Sequence, residues 1–447
     1  MEKLLPFSKG KYIQISIVSC VVALFVMSPV VGIFSFTSAA SAPVFSSEIN
    51  LSNDANNAQY PMVANSGNNV YVVWTEGSHG IYFRTSPDGG ITWSPLLTSA
   101  AMKLSQKGGS AAYPQITANG SNVYVLWGQT VKGEPAQLFF TSSTNYGVSF
   151  STPIQITSGT DGAVTPVISA WGNDVYVAYG DNKNQLGYVM ASTDAGVHWT
   201  TPFLFGNVAP GHEPQLASWG QNVYAISNSN LTVSSNNGAT WTDKTPKSGL
   251  GSEPWIAASG TNVYAVWETK GAKSAVFGTI SHDSGSTFSS PVFLSANARD
   301  AFQPQISASG SNVYLALHQV GAKPQAWMEI SNDAGITWNN NVSLSGIGKN
   351  GWATIIAISG ANVFTIWGEQ ISSSTTNWNA YVGYSADNGA TWTSAPGIDV
   401  SNNVQGLAAP NVDIASSSIA AFGIHGFASW EQTTGTSTTD QIWFAAS

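Results

Sequence analysis

One eight-residue pattern dominates this chain. Ser-x-Asp-x-Gly-x-Thr-Trp, or a near variant, stands at residues 86–93, 143–150, 192–199, 234–241, 281–288, 331–338 and 385–392. The closing residues Trp93, Phe150, Trp199, Trp241, Phe288, Trp338 and Trp392 are 57, 49, 42, 47, 50 and 54 residues apart. Repeats of that period are single supersecondary units that bury their apolar faces only by stacking on neighbours. A long-range array of small sheets is therefore expected before any other feature is considered.

Each box is built as a turn. Ser86 and Asp88 are short polar side chains that can bond nearby backbone N–H groups, Gly90 permits positive φ, and Trp93 returns the chain to an apolar layer. Glycine recurs at 90, 147, 196, 238, 285, 335 and 389. The acid recurs as Asp88, Asp194, Asp283, Asp333 and Asp387 and becomes Asn145 and Asn236 in the other two boxes. An amide oxygen still accepts the turn's hydrogen bonds, whereas a catalytic carboxylate would not survive that exchange. The boxes are read as structural.

A second signature precedes each box. Pro61, Pro114, Pro166, Pro214, Pro254 and Pro304 stand eight residues before strands opening Asn69-Val-Tyr, Asn122-Val-Tyr, Asp174-Val-Tyr, Asn222-Val-Tyr, Asn262-Val-Tyr and Asn312-Val-Tyr. Thr354 and Asn362-Val-Phe form the seventh copy. Dense β-branched and aromatic residues between Gly-Asn turns, without a sustained helical period, predict four short antiparallel strands per unit. They are A (from the proline), B (Asn-Val-Tyr), C (into the box) and D (out of it). Small residues at Ala64, Thr117, Ser169, Ala217, Ala257, Ser307 and Ala357 place strand A at a crowded axis.

An eighth unit lacks a box. Pro410-Asn411-Val412 reads as its strand A, Phe427–Trp430 as B and Gln441–Ala445 as C. The missing strand D is found at the other end of the chain, where Pro43–Ser52 resembles Ser290–Ser295 after the fifth box. An N-terminal strand completing the last sheet would close the ring and leave no open edge. The expected fold is all-β: a single propeller of four-stranded antiparallel blades, eight in number, with seven as the alternative if the last unit is an appendage.

Residues 1–42 stand apart from residues 43–447. Lys3, Lys9 and Lys11 precede an apolar run from Ile13 to Phe36 and then small residues to Ala42, the pattern of a secretory signal peptide. The run is also long enough to span a bilayer, and Pro43 would hinder cleavage after Ala42, so an N-terminal membrane anchor through 13–36 is the alternative. Both readings place the propeller outside the cell, secreted or surface-anchored. Cys20, the one cysteine, lies in this segment, which leaves the propeller without disulfides or cysteine metal sites. Without residues 1–42 the chain loses three lysines and Glu2, leaving 12 basic and 23 acidic residues, a net charge of −11. That balance argues against nucleic acid and anionic membrane as partners.

The boxes resemble the Asp-box, or bacterial neuraminidase (BNR), repeats of the sialidase superfamily, and the resemblance covers about residues 43–447. It implies a β-propeller with the boxes on C–D turns, on the face opposite the active site. It leaves function open, because sialidases, other glycoside hydrolases, sorting receptors and non-enzymatic propellers share the box. Sialidases hold the substrate carboxylate with three arginines, whose planar forks suit it. Here only Arg84 and Arg299 exist, and Arg84 lies two residues before a box. The family's Phe/Tyr-Arg-Ile-Pro signature would put arginine at positions that here hold Gln59, Ala112, Val164, His212, Ser252, Phe302 and Ala408. An ordinary sialidase does not fit.

Candidate functional residues fall on the other face, formed by B–C loops and D–A connections. After strand B come Glu76, Glu268, Glu369 and Glu431, with His318 at the matching place in the sixth blade. Before strand A come Glu213, following His212, and Glu253, with Trp255, Trp352 and Arg299 also assigned to this face. Such carboxylates could hold calcium through oxygen ligands, supply paired acids for glycoside hydrolysis, or be solvated loop charges. Exposed aromatics could stack on sugar rings, and a long loop at 368–380 could shape a site. The six histidines show no paired metal spacing. Two function classes remain. One is a non-catalytic propeller binding glycans or cell-envelope proteins; the other is a glycoside hydrolase using a pair such as Glu213 and Glu253.

Overall fold

The computed structural model describes residues 43–447 apart from 54–55, 78–79, 107–108, 131–134, 160–161, 182, 209–212, 272, 296–299, 321–323, 339, 347–349, 371–377, 394–396, 402–411 and 434–438. Among the described residues every regular element is a strand, and the strands form eight four-stranded antiparallel sheets. Blade 1 runs A to D as Ala58–Ser66, Asn69–Glu76, Gly80–Ser86 and Met102–Lys103. The innermost strands of the other blades are Ala111–Asn119, Ala163–Trp171, Gln215–Trp219, Ser252–Ser259, Ala301–Ser309, Gly351–Ser359 and Val412–Phe422. Each packs beside the innermost strand of the next, and the last packs beside the first. The architecture is an eight-bladed β-propeller, and the divergent final unit is a full blade.

Closure follows the expected route. Ile49–Asn50 pairs antiparallel with Asp440–Ala446, Ile49 opposite Phe444 and Asn50 opposite Trp443. Ser46 N–H donates to Ala446 O (2.7 Å) and Leu51 N–H to Ile442 O (2.7 Å). Leu51, Ile442 and Phe444 are fully buried together with Trp74 and Trp93 of blade 1. Blade 8 is thus built from both ends of the propeller.

The boxes join blades as well as turning the chain. In blade 3, Ser192 Oγ donates to Asp194 Oδ1 (2.8 Å) and accepts the Gly196 N–H (2.9 Å), while Asp194 Oδ1 accepts the His198 N–H (2.8 Å). Asn145 and Asn236 accept the same backbone bonds and turn their amide N–H toward Ser149 and Thr240 (both 2.9 Å). Gly196 has φ +90°, and a Cβ there would sit 2.0 Å from Phe140 of the preceding blade. Trp199 meets the same Phe140 edge-on at 5.1 Å. Glycine is therefore required for lack of space, in addition to the backbone freedom read from sequence.

Candidate functional site

Each strand A ends at a turn opened by glycine, which in blades 1 to 7 lies beside the blade's own box: Gly89 N–H donates to Asn68 O and Ala195 N–H to Asn173 O (both 2.8 Å). Boxes and A–B turns therefore share one face, and the first residues of the eight inner strands ring the axis on the other. Most of these strands begin before the proline, not at it as expected. The pairing jumps from Gln59 to Met62, from Ala112 to Gln115, from Val164 to Val167, from Ser252 to Trp255 and from Phe302 to Gln305. Blade 7 makes the same jump, from Trp352 to Ile355, around Thr354, so the bulge belongs to the repeat, and proline, with no N–H for the ladder, is tolerated in it. The residue before each of the five prolines lies in the left-handed region: Tyr60 (φ 57°), Tyr113 (56°), Thr165 (47°), Glu253 (49°) and Gln303 (50°). Such backbone costs about 1–3 kcal/mol per residue and concentrates at functional sites.

These strained positions ring the mouth of the propeller axis on the loop face. Tyr60 and Tyr113, on adjacent blades, lie with ring centroids 4.7 Å apart at 44°, and Tyr113 is 54% exposed. The Tyr60 bulge is held by blade 8: Glu431 Oε2 accepts the Tyr60 N–H (3.2 Å) and Oε1 accepts the Gln59 Nε2–H (3.3 Å). Further round the mouth, Glu213 and Glu253 of blades 4 and 5 are close enough to repel. Glu213 is exposed to solvent, beside the buried Pro214 and Gln215. Burial first, and the Glu253 charge second, push its carboxyl above the usual range.

The other candidates are distributed differently. Glu76 and Glu369 follow the strand-B tryptophan by two residues, Glu268 and Glu431 by one, and side chains one residue apart in a strand point to opposite faces. All four are buried at strand ends. Glu76 Oε1 accepts the Trp74 indole N–H (3.0 Å), a place taken in blades 2 and 8 by Gln129 (3.0 Å) and Gln432 (2.8 Å). Glu268 accepts the Ser274 hydroxyl (2.9 Å) and Glu369 the Gly346 N–H (2.8 Å). Solvated loop charges they are not, and among the described residues no three His, Cys, Asp or Glu side chains gather as a metal site.

His318 is buried edge-on against Phe302 (5.5 Å) and Trp352 (5.1 Å), and burial lowers its pKa to about 4. Trp255 and Trp352 are half-buried against the core. Arg84 is buried, its guanidinium donating to the carbonyls of Leu51, Pro95, Leu96 and Ser99. Arg299, His212, His79 and Pro410 lie outside the described residues, as do 371–377 of the expected 368–380 loop; residues 368–370 and 378–380 are not loop but paired strand, Gly368 opposite Ala380. The tyrosines of the mouth were missed from sequence; the signal for them was the residue immediately before each strand-A proline.

No family model matches the chain, and no curated protein does. Among solved structures, a PL25 ulvan lyase, a polysaccharide lyase, is similar over 89% of this chain and 95% of its own at 10% identity, with a TM-score of 0.51. The shared feature is the β-propeller fold. YCF48 bound to D1 peptide is similar over 91% of this propeller and 98% of its own chain at 13% identity (TM-score 0.47). The NanB sialidase of Streptococcus pneumoniae is similar over 84% and 83% at 11% identity (TM-score 0.41). At these identities the likeness is one of fold.

Proposed function

We propose that this propeller is exported and binds glycans at the axial mouth of its loop face, without catalysing their breakdown. The observation that carries the reading is the Tyr60–Tyr113 pair: two adjacent aromatic rings on strained backbone, one of them held by a buried carboxylate of the neighbouring blade. Aromatic faces accept the C–H surfaces of sugar rings, and a few convergent polar groups fix orientation. Glu213 and Glu253 offer acceptors for hydroxyl groups and repel anionic sugars. With Arg84 bonded to backbone carbonyls, the preferred ligands are neutral.

A second reading, hydrolysis of neutral glycans, is favoured by one observation. Glu213 holds its proton to higher pH beside a second carboxylate, the asymmetry that separates a general acid from its partner. A glycan array probed with the protein, followed by hydrolysis assays on the hits, tests both. Binding of neutral glycans should fall at least about tenfold in Tyr60→Ala and Tyr113→Ala at unchanged melting temperature, equivalent to about 1.4 kcal/mol. Fluorogenic sialosides should not be cleaved. Unaltered binding in both tyrosine variants would sink the site, and turnover abolished by Glu213→Gln would replace binding with hydrolysis.

A further inference from the structure

The inner strands carry a second aromatic pair at their other end. Strand A of blade 3 finishes at Trp171 and that of blade 4 at Trp219, and their ring centroids lie 5.1 Å apart at 44°. Both stay open to solvent, 41% and 39% exposed. Blades 1, 2, 5, 6 and 7 have Ser66, Asn119, Ser259, Ser309 and Ser359 at this position, so the turn itself does not require an indole. Phe422 of blade 8 is the one other aromatic residue there, and blades 1 and 2 separate it from the pair. Just before the rings, the Ser169 and Ser218 hydroxyls join the two strands at 2.7 Å, which fixes the spacing of the pair.

Polar groups converge on the same turns. Asp174 stands directly opposite Trp171 in the ladder and Asn222 directly opposite Trp219, and residues opposite one another share a face of the sheet. The position of Asp174 is asparagine in six other blades, as Asn69, Asn122, Asn222, Asn262, Asn312 and Asn362. In blades 1 and 7 that amide closes the turn, Asn69 Nδ2–H donating to Ser66 O (3.2 Å) and Asn362 Nδ2–H to Ser359 O (3.4 Å). A carboxylate has no such proton to give. Asp174 therefore cannot make this bond, and it places an acceptor beside the indoles instead.

The rest of this face limits the size of the occupant. Ile91, Val148, Val197 and Ile336, exposed on the boxes of blades 1, 2, 3 and 6, each stand next to the polar Thr92, Ser149, His198 or Thr337 of their own box. Exposed apolar residues set singly among polar ones are ordinary. Two tryptophans that are two-fifths exposed offer about 200 Å² together, against about 800 Å² per partner in a stable protein interface. One or two sugar rings match that area.

We propose that Trp171, Trp219, Asp174 and Asn222 form a second glycan-binding site, at the box end of the axis, for neutral pyranose chains, and that the propeller cross-links glycans through its two ends. The indoles take the C–H face of a sugar ring, and Asp174 and Asn222 take its hydroxyl groups. The carboxylate and the net negative charge of the propeller turn away anionic sugars. Strand A starts at the mouth and ends at this pair, and its nine residues in blade 3 span about 30 Å when extended, so the two sites lie at opposite ends. Cross-linking rests on the reading of the Tyr60–Tyr113 mouth; the second site does not.

Isothermal titration with cellohexaose, laminarihexaose, mannohexaose and maltohexaose reads both sites. The parent should bind two molecules of at least one of these sugars and agglutinate beads coated with it. Tyr60→Ala/Tyr113→Ala should keep only the box-end site and Trp171→Ser/Trp219→Ser only the mouth, each binding one molecule without agglutination. Serine already ends four of the inner strands, so the tryptophan variant should melt with the parent. Added to the tyrosine variant, Asp174→Asn restores the common turn residue and should weaken the remaining site at least threefold without lowering the melting temperature; unchanged affinity overturns the part given to the carboxylate. A tryptophan variant that binds all four sugars with the parent's stoichiometry and affinity overturns the second site and leaves the mouth standing. Parent-like binding in the tyrosine variant, lost in the tryptophan variant, does the reverse. A parent that binds none of the four overturns both.

Discussion

Asp333 is half-buried and governs its turn. Its carboxylate accepts the Thr337 hydroxyl (2.6 Å), the Thr337 N–H (2.9 Å) and the Ser331 hydroxyl (2.7 Å). Those bonds, the Thr337 hydroxyl foremost, hold its pKa down to about 2 from the ordinary 3.8. A depressed carboxylate stabilises the fold fully above its unfolded pKa, and that contribution is lost as pH falls through the folded value. Asp333→Ala should therefore lower the melting temperature at pH 7, with the difference shrinking toward pH 2. Asp333→Asn should stay near the parent, because Asn145 and Asn236 already do this work in blades 2 and 4. An alanine variant that melts with the parent at pH 7 would show that the box is not a stability element.

At the scale of blades, the box glycine and box aromatic set the spacing between neighbours. Gly196→Ala puts a methyl group 2.0 Å from Phe140 and keeps a φ of +90° that alanine resists. Overpacking of this kind costs about 1–3 kcal/mol, and urea titration should register it as a lower midpoint with unchanged slope. A midpoint equal to the parent's would mean that the blades separate without cost. The strands themselves were legible from alternation and turn residues, since both are local properties. The bulges at the strand-A prolines were not, because a bulge is defined only by the partner strand that continues the ladder past it. The same limit hid the fate of Glu76 and Glu431, one residue apart in register and therefore sent to opposite sides of their blades.

For the whole molecule, closure rests on the short strand Ile49–Asn50, with an acid immediately before it. Glu48 is pushed up to about 7, by burial first and by the charge of Asp399 in blade 7 second. A carboxyl raised in the folded state contributes stability that is full below the ordinary value of 4.5 and lost as pH rises through about 7. The parent should therefore lose stability between pH 5 and 8 relative to Glu48→Gln. The gap at pH 8 should be on the order of 1 kcal/mol once solvent screening of a half-buried group is allowed for. Thermal melts across that range read it directly; parallel pH profiles would remove Glu48 from the closure.

Seven boxes, a boxless eighth unit and a spare strand at the N-terminus were enough to write down an eight-bladed closed ring, because repeat period, turn chemistry and the cost of an open sheet edge all act along the chain. The two-arginine inventory likewise bounded the chemistry, and the structure added that Arg84 is occupied by four carbonyls. Only the folded ring brought Tyr60 beside Tyr113, 53 residues later in sequence, and Glu213 beside Glu253. Those neighbours belong to different blades, and their proximity depends on how inner strands converge on the axis. The burial of Glu76, Glu268, Glu369 and Glu431 was decided there too: a carboxylate at a strand end is solvated or buried according to what the next blade places over it.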